Sequence, residues 1–209
     1  MALGRSFAAN DTIGHLIEPG EQEELEEEVA GHVRALLDAL VIDRQHDHNT
    51  QDTARRVAKM LIRESMAGRY TECPAITDFP NARGLDEIYT VGPITVRSMC
   101  SHHLVPIVGQ AWLGIIPTER VIGLSKFTRL VGWVMARPQI QEEATVQIAD
   151  LLEEALKPRG LALVVKAEHL CMTWRGVRDA GTAMVTSVMR GAFRDKEAAR
   201  AEFLSLIGR

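Results

Sequence analysis

A chain of 209 residues, 46% hydrophobic and 25% charged, is long enough for one domain with a core of its own and carries no fibrous or disordered bias. Its net charge of −4 argues against a surface built for nucleic acid or an acidic membrane, so any anion site must be local. Three scattered cysteines make no disulfide framework, no apolar run reaches the ~18 residues of a membrane span, and the N-terminus lacks a leader pattern, which makes a reducing cytoplasm the expected compartment.

In chain order, residues 1–20 have no period and are expected to form a flexible arm. Leu25, Val29, Val33, Leu36, Leu37 and Leu40 repeat at helical spacing, and the acidic start of that segment suits a helix N-terminus. "TQDTARRVAKMLIRESMAG" reads as a second helix stopped by Gly68, which makes 21–84 a helical segment ending in a loop with two prolines. From residue 85 the order is strand, strand, helix, helix, strand, strand. The runs are "LDEIYTVGPITVRSM", "HLVPIVGQAWLGIIP", a helical region from Ser125 to Leu156 broken near Pro138, "LALVVKAEHLCM" and "TAMVTSVMRGAF". "DKEAARAEFLSLIGR" closes the chain as a short helix. The class is α+β, with a mostly antiparallel sheet over residues 85–209 preceded by helices.

Chemistry-bearing residues concentrate in "SMCSHHLVP". Cys100 and His103 form a Cys-x-x-His pair of zinc-type donors. Positions i and i+3 of a straight strand point to opposite faces, so the pair can share a metal only if the chain bends there. Cys171 is the natural third ligand. If the strand continues to Cys171, His169 lies on the same face, about 6.5–7 Å away. Two thiolates and one imidazole leave a tetrahedral position open, as catalytic zinc sites do. The plain alternative is a polar corner of a strand. Cys73 reads as a small structural residue, and His15, His32, His46 and His48 as surface histidines.

Anion binding has its own candidates. Ser125, Lys126 and Arg129 sit at the start of an expected helix, where free N–H groups favour phosphate. Arg56 and Lys59 are three apart on another, and Arg175 follows Cys171 closely. A solvated basic face is the competing reading. Gln141 and Glu142 open the helix after Pro138. A buried carboxylate there can accept from the N1–H and amino group of guanine, although acids in a first turn also serve the helix dipole.

Taken together, "TARRVAKM", "SMCSHHLVPIVGQ", "VIGLSKFTRLV", "RPQIQEE", "AEHLCMTWRGVRD" and "EFLSLI" make the chain resemble the GTP cyclohydrolase I family from about Thr53 onward. The resemblance implies a tunnelling fold (T-fold), a β-β-α-α-β-β unit whose copies assemble into a toroidal homodecamer with active sites between subunits. It implies Zn2+ on Cys100, His103 and Cys171, and catalytic histidines at His102 and His169. Guanine would be held by Gln141 and Glu142. The triphosphate would be held by Arg56, Lys59, Ser125, Lys126, Arg129 and Arg175. The implied reaction opens the imidazole ring of GTP by hydrolysis, releases formate and yields 7,8-dihydroneopterin triphosphate, the first step of tetrahydrofolate or pterin biosynthesis. The rival readings are a paralogue acting on a related guanine nucleotide or stalling after ring opening, and a non-enzymatic zinc-stabilised ring protein. The chain departs from the family pattern at Ser101 (usually Glu), Glu143 (usually Arg) and Ala54 (usually Pro).

Overall fold

A computed structural model describes residues 6–208. Helix α1 (Glu21–Ala39) packs against α2 (Thr53–Lys59), which runs on through a π-helical segment, Met60–Ser65, into the single turn α3 (Ala67–Tyr70). Arg63, in the π segment, ties this layer to α1. Its Nε donates to Glu26 at 2.9 Å, Nη1 to Gln22 at 2.7 Å and Nη2 to Glu23 at 2.7 Å.

The central sheet has the order β5-β2-β3-β6-β7. Strands β2 (Tyr89–Cys100), β3 (Pro106–Ile116), β6 (Gly160–His169) and β7 (Met184–Gly191) are antiparallel neighbours, and the short β5 (Pro138–Gln139) lies parallel to the end of β2. A separate two-stranded ribbon pairs β1 (Asp78–Pro80) with β4 (Arg120–Ile122), and Arg120 bonds Asp78 across it. Helices α4 (Leu124–Met135) and α5 (Gln141–Leu156) connect the two hairpins, which gives the β-β-α-α-β-β order expected from the sequence.

Period-2 patterning explains which face the helices cover. Ala111, Leu113 and Ile115 of β3 and Leu161, Leu163 and Val165 of β6 point one way. They bury against Phe127, Leu130 and Val134 of α4 and Ala144, Ile148 and Leu152 of α5. Each fully buried Leu, Ile or Phe there contributes roughly 1.5–3 kcal/mol. Ala162 and Val164 point the other way and meet Phe193 and Phe203, brought over by α7 (Ala192–Asp195) and α8 (Glu197–Leu206). Gly114 makes this possible, since a Cβ there would come within 2.5 Å of the Phe203 ring. Gly68 plays a like role between α3 and α4, where a Cβ would sit 1.9 Å from the Trp133 carbonyl.

Residues 1–5 of the expected arm lie outside the described residues. Residues 8–13 differ from that expectation, because backbone carbonyls anchor them and carbonyls leave no periodic signal in a sequence. Arg69 Nη1 donates to the carbonyls of Ala8 (2.6 Å), Ala9 (3.1 Å) and Asp11 (3.0 Å), and the Ile13 amide donates to Arg69 O at 2.7 Å. Arg137 Nη1 reaches Asn10 O at 3.1 Å, and the Ile13 side chain is buried.

Candidate active site

The bend that Cys100 and His103 need is present. Strand β2 ends at Cys100, and the chain turns through 101–103. The Cys100 amide donates to Val105 O and the Leu104 amide to Cys100 O, both at 2.8 Å. Leu104 adopts a φ of 51°, in the left-handed region, which folds His103 back over Cys100 before β3 begins at Pro106. On the far side of β3, Ile107 lies opposite His169, so the end of β6 arrives beside the same turn.

Strand β6 stops two residues short of Cys171. His169 is its last residue, and Leu170–Thr173 form a single helical turn, α6. Cys171 is therefore presented from a helical turn and not from the strand. The result is a compact donor set in which the ligand atoms of Cys100, His103 and Cys171 all lie within 4.8 Å of one another. Cys100 is only 4% exposed and anchors the group from below. Burial pushes the Cys171 thiol up, the neighbouring Cys100 adds to this, and Arg175 opposes it. Tetrahedral zinc with bonds of about 2.0–2.3 Å holds its donor atoms within about 4 Å of each other. Two soft sulfurs and an imidazole at the observed spacing fit that ion after small side-chain rotations.

Two further histidines flank the group. His102 Nδ1 lies 3.8 Å from Cys100 Sγ, and His102 itself is exposed. His169 Nε2 lies 2.8 Å from Gln141 Oε1. Burial pushes the His169 pKa down, and the charge of Glu142 works against that shift.

Glu142 and Glu143 occupy the first turn of α5, facing a cavity of about 410 Å³ that Asn10, Val146 and Gln147 also line. Gln141, at 2% exposure, does not face solvent. Both ends of its amide are engaged within the protein, which differs from the expectation that it holds guanine. Of the positions that depart from the family pattern, Glu143 accepts a hydrogen bond from Asn10 Nδ2 at 2.6 Å. Ser101 donates its amide to Gln139 O at 3.1 Å, and Ala54, in the first turn of α2, is buried.

The basic residues are dispersed. Arg175, on the segment after α6, is close enough to Cys171 to bias its thiol. Arg56 and Lys59 line a surface pocket with Glu26 and Arg55, and Arg56 lies 3.7 Å from Asp52. Ser125, Lys126 and Arg129 stand in the first two turns of α4, whose other end is the one near Cys100: Ser98 Oγ donates to Arg137 O at 3.0 Å, and Gln139 is in register with Cys100. At about 1.5 Å per residue, Lys126 is roughly 13 Å from that end along the axis. Arg129 stands about 9 Å from the same end.

Sequence reasoning missed Thr145 and Thr186, which meet behind Gln141 with their hydroxyl oxygens 2.8 Å apart. Threonines on a helix and on a strand carry no signal of that meeting.

An open Cys2His centre with spare histidines on a β-β-α-α-β-β sheet has the build of a catalytic metal site, since structural zinc is usually closed by four protein ligands. Comparison with known proteins narrows that class. The family model described as GTP cyclohydrolase I matches residues 29–208. The GTP cyclohydrolase 1 of Mycobacteroides abscessus is 46% identical over 179 residues, covering 85% of this chain and 87% of its own length. The enzyme of the same name from Mycolicibacterium paratuberculosis is 43% identical over 202 residues, 96% of each chain, and that of Thermoanaerobacter pseudethanolicus 41% over 182 residues, 87% of this chain and 96% of its own. The chain belongs to the GTP cyclohydrolase I family.

Proposed function

We propose that the protein opens the imidazole ring of GTP by hydrolysis, releases C8 as formate and lets the ribose-derived chain reclose to 7,8-dihydroneopterin triphosphate, the entry reaction of tetrahydrofolate or pterin biosynthesis in the cytoplasm. One observation carries this reading: the donor set leaves two histidines over, His102 with its Nδ1 3.8 Å from Cys100 Sγ and His169 at the end of β6, two residues before Cys171. A zinc ion held by those three residues would lower the pKa of a bound water to near neutrality and polarise the bond under attack.

The remaining steps belong to the protein. His169, half-buried and set against Gln141, carries protons to and from the ring nitrogens. His102, exposed at the turn, serves the ribose oxygen side. Glu142, in the first turn of α5 and near enough for its charge to act on His169, accepts from the N1–H and exocyclic amine of guanine, and adenine would leave that acceptor unpaired. Arg175, Arg56 and Lys59 neutralise the triphosphate, which is bound and oriented but not cleaved.

Ser125, Lys126 and Arg129 complete the phosphate site from a second copy. The proposal of a toroidal homodecamer rests on the separation along α4 and on the two open flanks of the sheet, β7 and most of β2.

Substituting His102 tests the reading. In H102A the zinc content per chain stays as in the parent, while formate release falls by roughly 10²–10⁴-fold. Full turnover in a zinc-loaded H102A protein would contradict the assignment.

A further inference from the structure

Gln141 offers four polar contacts that together fix which way its amide points. Its Nε2 lies 3.2 Å from Val165 O, 3.2 Å from Met184 O and 3.1 Å from Thr186 Oγ1, and its Oε1 lies 2.8 Å from His169 Nε2. Two of those neighbours are backbone carbonyls, which only accept. Turning the amide over would set its oxygen against both of them. Oε1 therefore faces His169, and because it can only accept, the ring nitrogen opposite it carries the proton.

The threonines close the circuit. Thr145 donates its hydroxyl proton to Gln141 O at 2.6 Å, so toward Thr186, 2.8 Å away, it can only accept. The Thr186 proton is used on Thr145, which leaves a Thr186 lone pair for Gln141 Nε2. Thr145 and Gln141 are both buried, at 1% and 2% exposure, which strengthens their share of these bonds.

We propose that Gln141 is a positioning residue and not a reader of the base. It holds the His169 ring as the Nε2–H form and presents the Nδ1 lone pair to the reaction, and Thr145 and Thr186 lock Gln141 in turn. This rests on the reading of His169 as a proton carrier. Partners of this kind commonly fix the tautomer and orientation of a working imidazole.

Two readouts test it on the zinc-loaded assembled protein, with the near-isosteric Q141M as the main variant. In turnover of GTP, Q141M lowers kcat by about tenfold or more and leaves KM within about threefold, as expected for a residue that acts through another. E142Q, removing the proposed guanine contact, raises KM instead. A tenfold or greater rise in KM for Q141M, or an unchanged kcat, would overturn the proposal. The second readout is solid-state ¹⁵N NMR of protein labelled only in its histidine rings, with H169N assigning the signals. The parent gives a protonated Nε2 and a bare Nδ1 at His169, and Q141M loses that preference. A protonated Nδ1 with a bare Nε2 in the parent overturns the proposal without reference to activity. H169A separates the two claims: if it keeps full turnover, His169 carries no proton and the underlying reading fails, while the tautomer result still stands alone. If Q141M does not assemble or hold zinc, T186V, which removes one acceptor behind Gln141, is expected to shift kcat in the same direction by a smaller factor, and an unchanged kcat there counts against the proposal.

Discussion

Tyr89 shows how far a single side chain can depart from what its type suggests. Its hydroxyl is buried without a hydrogen-bond partner, edge-on to Phe127, and burial pushes its pKa up to about 12. An unpaired buried hydroxyl costs about 1–3 kcal/mol, so Tyr89→Phe should leave stability unchanged or raise it by about 1 kcal/mol in urea unfolding. The pH sign follows from the same shift. The folded state holds the phenolic proton more tightly, so stability is intact below pH 10 and falls as pH rises toward 12. In Tyr89→Phe that part of the alkaline loss disappears, which unfolding midpoints measured across this range will show. At this scale the sequence was informative about donor types and poor about partners. Cys100, His103 and Cys171 stood out as metal-type donors. The bond between Gln141 and His169 did not, because it depends on where the start of α5 crosses the end of β6.

Among the elements, the lesson concerns ends. The Cys-x-x-His spacing was unusable on a straight strand, and the hairpin turn at 101–103 with its left-handed Leu104 makes it usable. Strand β6 behaved in the opposite way. Its alternation was clear as far as His169, and the switch into α6, which delivers Cys171, had no period to announce it. The segment 8–13 was illegible for a similar reason, since Arg69 holds it through carbonyls that every residue possesses. Arg69→Ala should therefore release it. Amide exchange should rise most in residues 8–13, and the change should extend to the start of α5, where Asn10 is bonded to Glu143. Unchanged protection at residues 8–13 would show that Ile13 and Arg137 suffice to hold the segment.

For the whole molecule, the β-β-α-α-β-β order could be read from hydrophobic periods alone, because each element is long and buries one face. The distribution of charge over that frame could not. The sequence offered Lys126 and Arg129 as phosphate ligands, and α4 carries them roughly 13 Å and about 9 Å along its axis from its Cys100 end. If a second copy supplies them, K126A and H102A proteins, each inactive alone, should regain activity when their subunits are mixed and allowed to reassemble, since some sites will then combine an intact Lys126 with an intact His102. Activity that stays at the level of the separate variants would place the phosphate contacts within one chain. The most direct test of the central claim follows one atom: zinc-loaded protein given GTP labelled with ¹³C at C8. The account predicts labelled formate and an unlabelled dihydropterin that keeps all three phosphates. Label retained on the base-derived product, or phosphate released with the ring intact, would contradict it.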